Sequence, residues 1–117
     1  MRVVFHICQD MKHSYTILQL DDKNINVLKD HKLFESWDML NRTAGLNKQQ
    51  YKKVYDGEIE CEGLWVVLEE LFKIFNLNHP EDYSGRSMST SDIVILDGVE
   101  YYCDDYGWVN IETGKKI

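Results

Sequence analysis

A chain of 117 residues holds one hydrophobic core and is too short for two, and an apolar fraction of 44% with a single proline excludes a long disordered linker. The net charge of −7 is unevenly placed: residues 1–55 carry six acids and nine bases, whereas residues 56–112 carry fourteen acids against Lys73 and Arg86, a balance of −12. Such a segment repels phosphate backbones and attracts basic protein surfaces, so direct nucleic-acid binding is not expected.

In chain order, Arg2–Cys8 and Ser14–Leu20 are β-branched and aromatic runs that predict two strands joined by the polar QDMKH. The following DDKNINVLKD has no decisive period and reads as loop or irregular strand. From Lys32 to Ala44 the residues Leu33, Phe34, Trp37, Leu40 and Ala44 recur at helical spacing, with Gly45 placed as a left-handed terminator. Gln50–Tyr55 alternates as a strand does, with a short helical turn from Asn47 as the alternative, and Asp56-Gly57 is a turn signal that ends it.

The clearest helix spans Gly63–Phe75, where Leu64, Val67, Leu68, Leu71, Phe72 and Phe75 form one apolar stripe. Asn76 is placed as its cap, and His79-Pro80 forbids continuation, because proline lacks an amide donor and restricts the residue before it. Ile93–Leu96 is apolar on both faces, as a strand covered on both sides is. Asp97-Gly98 is a two-residue hairpin turn, Val99–Asp104 returns, Tyr106-Gly107 turns again, and Trp108–Ile111 completes a meander. The expected fold is α+β: a mainly antiparallel sheet of about five to six strands with two amphipathic helices packed on it. The expected organisation is a single domain over 1–117, with a hairpin and helix in 1–50, a second part over 51–111, and a basic tail in 112–117.

The cysteines Cys8, Cys61 and Cys103 are odd in number and form no CxxC pair, which suggests reduced thiols. The apolar run Val3–Cys8 stops at Asp10 before it becomes a signal segment, and nothing approaches a membrane span, so the expected location is cytoplasmic. His6, Cys8 and His13 are the nearest approach to a metal set, and no motif supplies further ligands. No nucleophile elbow or phosphate loop is present, and Cys61 and Cys103 lie among carboxylates that disfavour the thiolate. Neither metal, cofactor nor catalytic residue is expected, and the chain reads as a non-enzyme. The basic cluster Lys48, Lys52 and Lys53 beside Tyr51 and Tyr55 reads as a solvated strand face.

The acidic pattern remains. Glu58, Glu60 and Glu62 alternate with Ile59 and Cys61, so an extended backbone sets three carboxylates on one face about 7 Å apart. Water on one side of a half-buried strand explains the same alternation. Beyond that row stand Glu69, Glu70, Glu81, Asp82, Asp97, Glu100, Asp104 and Asp105 with almost no compensating base.

Tyr51–Ile111 resembles the YodL-like domain in four ordered blocks. Val54, Tyr55, Gly57 and Glu58 match a VY-x-GE segment; Phe75, Asn76, His79, Pro80 and Asp82 match FN-x-x-HP-x-D. Gly85, Ser87, Ser89, Ser91, Asp92 and Val94 match a GHSLSVSDV-like block, and Tyr101, Tyr102, Cys103, Asp104, Tyr106 and Gly107 match a YYCDSFGF-like block. Arg86 stands where the family usually has histidine, Thr90 where valine is common, and Asp105 where serine is common. The resemblance implies a phage or mobile-element setting in Gram-positive bacteria and carries no established activity. The serines and Asp92 of the third block are read as architecture, since their short side chains bond nearby backbone.

The expected function is a small acidic inhibitor of a host defence nuclease, of anti-CRISPR or antirestriction type, that occupies the nuclease's nucleic-acid-binding surface. Its partner-binding residues would be Glu58, Glu60, Glu62, Glu69, Glu70, Asp97, Glu100, Tyr102, Asp104, Asp105 and Tyr106, with Trp65 or Trp108 as further aromatic anchors. The alternatives are a structural or regulatory module that pairs with itself or with another element-encoded protein, and a small-molecule enzyme whose pocket would gather His79, Asp82, Asp92 and Cys103.

Overall fold

The computed structural model describes residues 11–43, 45–61 and 63–117. Six strands form one antiparallel sheet in the order β2-β1-β3-β4-β5-β6: β1 is Met11–Leu20, β2 Tyr51–Cys61, β3 Ile93–Leu96, β4 Val99–Cys103, β5 Trp108–Asn110 and β6 Lys115–Lys116. Three α-helices accompany it, α1 over Ile25–Lys29, α2 over Trp37–Arg42 and α3 over Leu64–Leu77. The architecture is the expected α+β one, with α1 as a further helix.

The side-chain period of two divides the sheet into faces with different covers. Tyr15, Ile17, Val94, Leu96, Tyr101, Cys103 and Trp108 point to one face and pack against Val67, Leu68, Leu71 and Phe75 of α3. Ile93, Tyr102 and Val109 point to the other, against Leu40 of α2 with Trp37, Leu46 and Tyr51 around them. Strand β3 is therefore covered on both sides, as its unbroken apolar run requires. Its hairpin to β4 turns at Asp97 and Gly98, both with positive φ (50° and 86°), the backbone that a tight two-residue turn with the right twist demands.

Helix α3 buries Val67, Leu68, Leu71 and Phe75 at 0–1% exposure. It runs two residues beyond its expected end and is capped at Asn78; Asn76 instead donates to the Phe72 carbonyl from within the helix.

Several expectations are corrected. The predicted strand Arg2–Cys8 lies outside the described residues, and the polar stretch ahead of Ser14 is already strand from Met11. The DDKNINVLKD segment contains α1, with Asn24 capping it through Asn26 N–H and Val27 buried. The helix expected over Lys32–Ala44 is confined to Trp37–Arg42, because the backbone before it is bound elsewhere. Phe34 (φ 65°) donates its N–H to Ser91 Oγ, Glu35 offers its carbonyl to Tyr102 Oη, and Lys32 is buried with its Nζ 2.6 Å from Gln50 Oε1. Asp56-Gly57 is no turn. Strand β2 runs through it because Gly57 pairs with Tyr15, whose ring fills the space a side chain would take.

The serine-rich block is architectural in its bonding. Buried Ser91, at φ 90°, accepts the Phe34 N–H on its hydroxyl and the Tyr51 hydroxyl on its carbonyl, while its own N–H reaches the Cys103 carbonyl. The Asp92 carboxyl accepts from Ser89 N–H and Gln19 Nε2. These bonds set β3 beside β4 and tie the segment around Phe34 to the sheet.

Candidate functional site

The turn from β4 to β5 is closed by the Asp104 N–H donating to the Gly107 carbonyl, with Gly107 at φ 87°. Asp104 Oδ1 accepts the Asp105 N–H, and Asp105 Oδ1 accepts the Tyr106 N–H. Aspartates at turns bind nearby backbone in this way. The tip is thus held by its own hydrogen bonds, and Tyr106 stands outward at 84% exposure.

Helix α3 approaches the same tip. The Trp65 ring passes 3.6 Å and 3.8 Å from where a Cβ on Gly107 would sit, and Trp65 itself is half exposed. One turn on, Glu69 Oε2 accepts the indole N–H of buried Trp108 at 3.0 Å. Between α3 and the turn lies a cleft of about 280 Å³, with Phe72, Cys103 and Trp108 beneath and Glu69, Asp105 and Tyr106 at its rim. A second cleft of about 450 Å³ flanks the turn on its other side, between Tyr106 and Trp37, Asp38 and Lys116.

The setting of Cys103 disfavours its thiolate. Burial pushes its thiol well above the ordinary range, and the charges of Asp92, Glu69 and Asp104 push the same way. The cleft that Cys103 lines does not include His79, Asp82 or Asp92. Among the described residues no group of three or more His, Cys, Asp or Glu could hold a metal ion, and no helix is long and apolar enough to cross a membrane.

The expected partner-binding residues separate into groups. Glu69, Asp104, Asp105 and Tyr106 line one cleft. Tyr102, by contrast, is fully buried, its hydroxyl on the Glu35 carbonyl and its ring edge-on to Trp37 at 5.1 Å, so it is core and offers nothing to a partner. Trp108 is likewise 1% exposed. Asp104 is also withdrawn, at 5% exposure. Burial opposes its charge, yet the N–H groups of Trp37 and Asp105 and the Lys116 ammonium at 3.1 Å hold its carboxyl below the usual range. It is a fastening between β4, the first residue of α2 and β6.

Glu58 and Glu60 share the exposed face of β2 that their alternation predicts, while the acids beyond that row stand on other elements. Glu58 and Glu60 are exposed opposite Ile59, whose side chain packs on the α3 side, and Lys12 lies 3.6 Å from Glu58. Glu69 and Glu70 belong to α3 itself, and Glu70 stands 4.0 Å from Lys73. Glu100 is half-buried with Lys48 at 3.0 Å, and Asp97 accepts from Ser14 N–H and lies 2.6 Å from His13 Nδ1. Hydrogen bonds from His13 and Ser14 hold the Asp97 carboxyl below its usual range. Glu62 lies outside the described residues.

The basic cluster also divides: Lys48 goes to Glu100, while Lys52 and Lys53 share a cleft with Arg86, and these three pair with Asp21, Asp56 and Asp22. Sequence reasoning missed Phe72 and Thr90 as parts of the α3 cleft; one was counted as core, and the other gave no signal before the turn was seen beside it.

No curated protein and no solved structure matches the chain at a significant level. A family model does, over residues 14–113, so the shared pattern includes β1 and the α1–α2 segment that motif matching from Tyr51 onward had left out. With that match over most of its length, the chain belongs to the family of YodL-like domains.

Proposed function

We propose that this chain is a small, non-enzymatic protein-binding domain of a phage or mobile element, and that it inhibits a host defence nuclease by covering part of its nucleic-acid-binding surface. The observation that carries the reading is the β4–β5 turn: an outward aromatic, Tyr106, at 84% exposure beside exposed Asp105, on a frame closed by its own hydrogen bonds. Interfaces draw most of their energy from a few aromatic anchors, and charge complementarity guides the approach. The −12 balance of residues 56–112 favours a basic partner. The mobile-element setting rests on the family resemblance.

The dispersal of Glu58, Glu60 and Glu100 from the turn supports a local anchor over a long row of carboxylates imitating phosphates. The test is binding of the purified protein to CRISPR effector and restriction nucleases across a salt series. Binding that weakens with salt and is lost in Tyr106→Ala with Asp105→Arg supports the reading; binding indifferent to both changes refutes it.

A second reading, a regulatory module that pairs with a copy of itself, is favoured by the consecutive half-exposed Leu64, Trp65 and Val66 at the start of α3. Sedimentation of wild type and Trp65→Ala at high concentration separates the two.

A further inference from the structure

We infer that the cleft between α3 and the β4–β5 turn receives one arginine side chain of a basic protein partner, an inference that rests on the turn being the protein-binding surface.

The cleft has two kinds of lining in an order that suits a long cationic side chain. Phe72, Cys103 and Trp108 make an apolar floor, and Glu69, Asp105 and Tyr106 make an acidic and aromatic rim. A methylene stem covers apolar surface while its charged head stays at the rim. The rim carboxylate is oriented in advance, because Glu69 Oε2 is bound by the indole N–H of Trp108, a residue 1% exposed. Glu69 Oε1 is left for another donor.

The cations of adjoining elements already have partners, Lys73 in Glu70 at 4.0 Å and Lys116 in Asp104, which also lines the cleft, at 3.1 Å. Among the described residues none forms an ion pair with Glu69 or Asp105. Two rim carboxylates with no ion pair of their own among the described residues, over a small apolar floor, are complementary to a cation that arrives from outside.

Arginine fits better than lysine for a geometric reason. Tyr106 and Trp65 flank the turn with exposed rings. A guanidinium is planar, stacks on aromatic faces and presents several N–H donors to a carboxylate at once, whereas an ammonium is a compact, strongly hydrated charge.

The test titrates isotope-labelled full-length protein with two peptides of equal charge, Gly-Arg repeated four times and Gly-Lys repeated four times. The expected result is a saturable movement of the Trp65 and Trp108 indole N–H signals, with the arginine peptide about tenfold tighter. Glu69→Gln, which keeps an acceptor for Trp108 and so spares the fold, is expected to weaken that binding about fivefold. Equal binding of the two peptides, or an unaltered affinity in Glu69→Gln, overturns the arginine site. If Tyr106→Ala then still abolishes binding, the turn stands as a protein-binding surface and only the arginine site falls. If Tyr106→Ala is also without effect, both fall.

Discussion

Tyr15 and Gly57 are cross-strand partners on β1 and β2, and the phenol ring lies so close to the glycine that an added Cβ would stand 2.5 Å from its oxygen. The ring is also in an edge-on pair with Phe75, 6.0 Å between centroids, and stacks on Tyr55 at 6.3 Å. It has little room to move aside. Gly57→Ala is therefore expected to cost about 1–3 kcal/mol of stability through overpacking, read from urea unfolding; an unchanged midpoint would show that the ring has another resting place.

A buried carboxyl makes stability depend on pH. Burial raises Asp92 to about 7, against which the hydrogen bonds from Ser89 and Gln19 and the charge of Arg86 act only partly. Its Oδ1 is buried and has no hydrogen-bond partner among the described residues. A folded-state value above the unfolded one means that the native protein holds its proton more tightly, so this group's contribution falls as pH rises from about 4 to about 7 and is level above that. Asp92→Asn keeps an oxygen for the two donors and cannot ionise. Relative to wild type it is expected to gain on the order of 2 kcal/mol between pH 4.5 and pH 8, and parallel unfolding curves for the two proteins at both pH values would rule this out.

Ser91 joins two costs at one position, a left-handed backbone at φ 90° and a buried hydroxyl that serves Phe34 N–H. Replacing it with alanine keeps the strain and orphans the donor, while glycine orphans the donor and relieves the strain. The expected order of stability is wild type, then Ser91→Gly, then Ser91→Ala, with the last about 1–3 kcal/mol below wild type. Alanine equal to glycine would show that backbone strain plays no part here.

Helix α3 offers a contrast between two leucines. Leu68 is fully buried against the sheet, and Leu77 is 81% exposed at the helix end. Leu68→Ala is expected to cost about 2–5 kcal/mol, whereas Leu77→Ala stays within about 0.5 kcal/mol. Thermal or chemical unfolding of the two variants measures the difference.

Much of this molecule is written in local patterns. The stripe of α3, the proline that stops it, the doubly covered β3 and the Asp97-Gly98 turn each depend on residues a few positions apart, and each stands where periodicity and turn chemistry place it. The bonding of Ser89, Ser91 and Asp92 to backbone was also foreseeable from their short polar side chains. Asp56-Gly57 reads the same locally as Asp97-Gly98, yet one continues a strand and the other turns. What separates them is Tyr15, some forty residues earlier in the chain, lying across Gly57.

The candidate site was decided in the same non-local way. Composition alone determined that residues 56–112 are strongly acidic and that Tyr106 stands beside aspartates at a turn. It could not say that Tyr102 is core, that Asp104 is fastened to α2 and Lys116, or that Glu69 comes from a helix to meet Asp105. Those outcomes follow from strand pairing and the packing of α3 on one face of the sheet, which bring together groups far apart in sequence. A charge far from its neighbours in the chain gains or lacks a counter-ion only by what the fold sets beside it, and here, among the described residues, no cation forms an ion pair with Glu69 or Asp105 at their shared cleft.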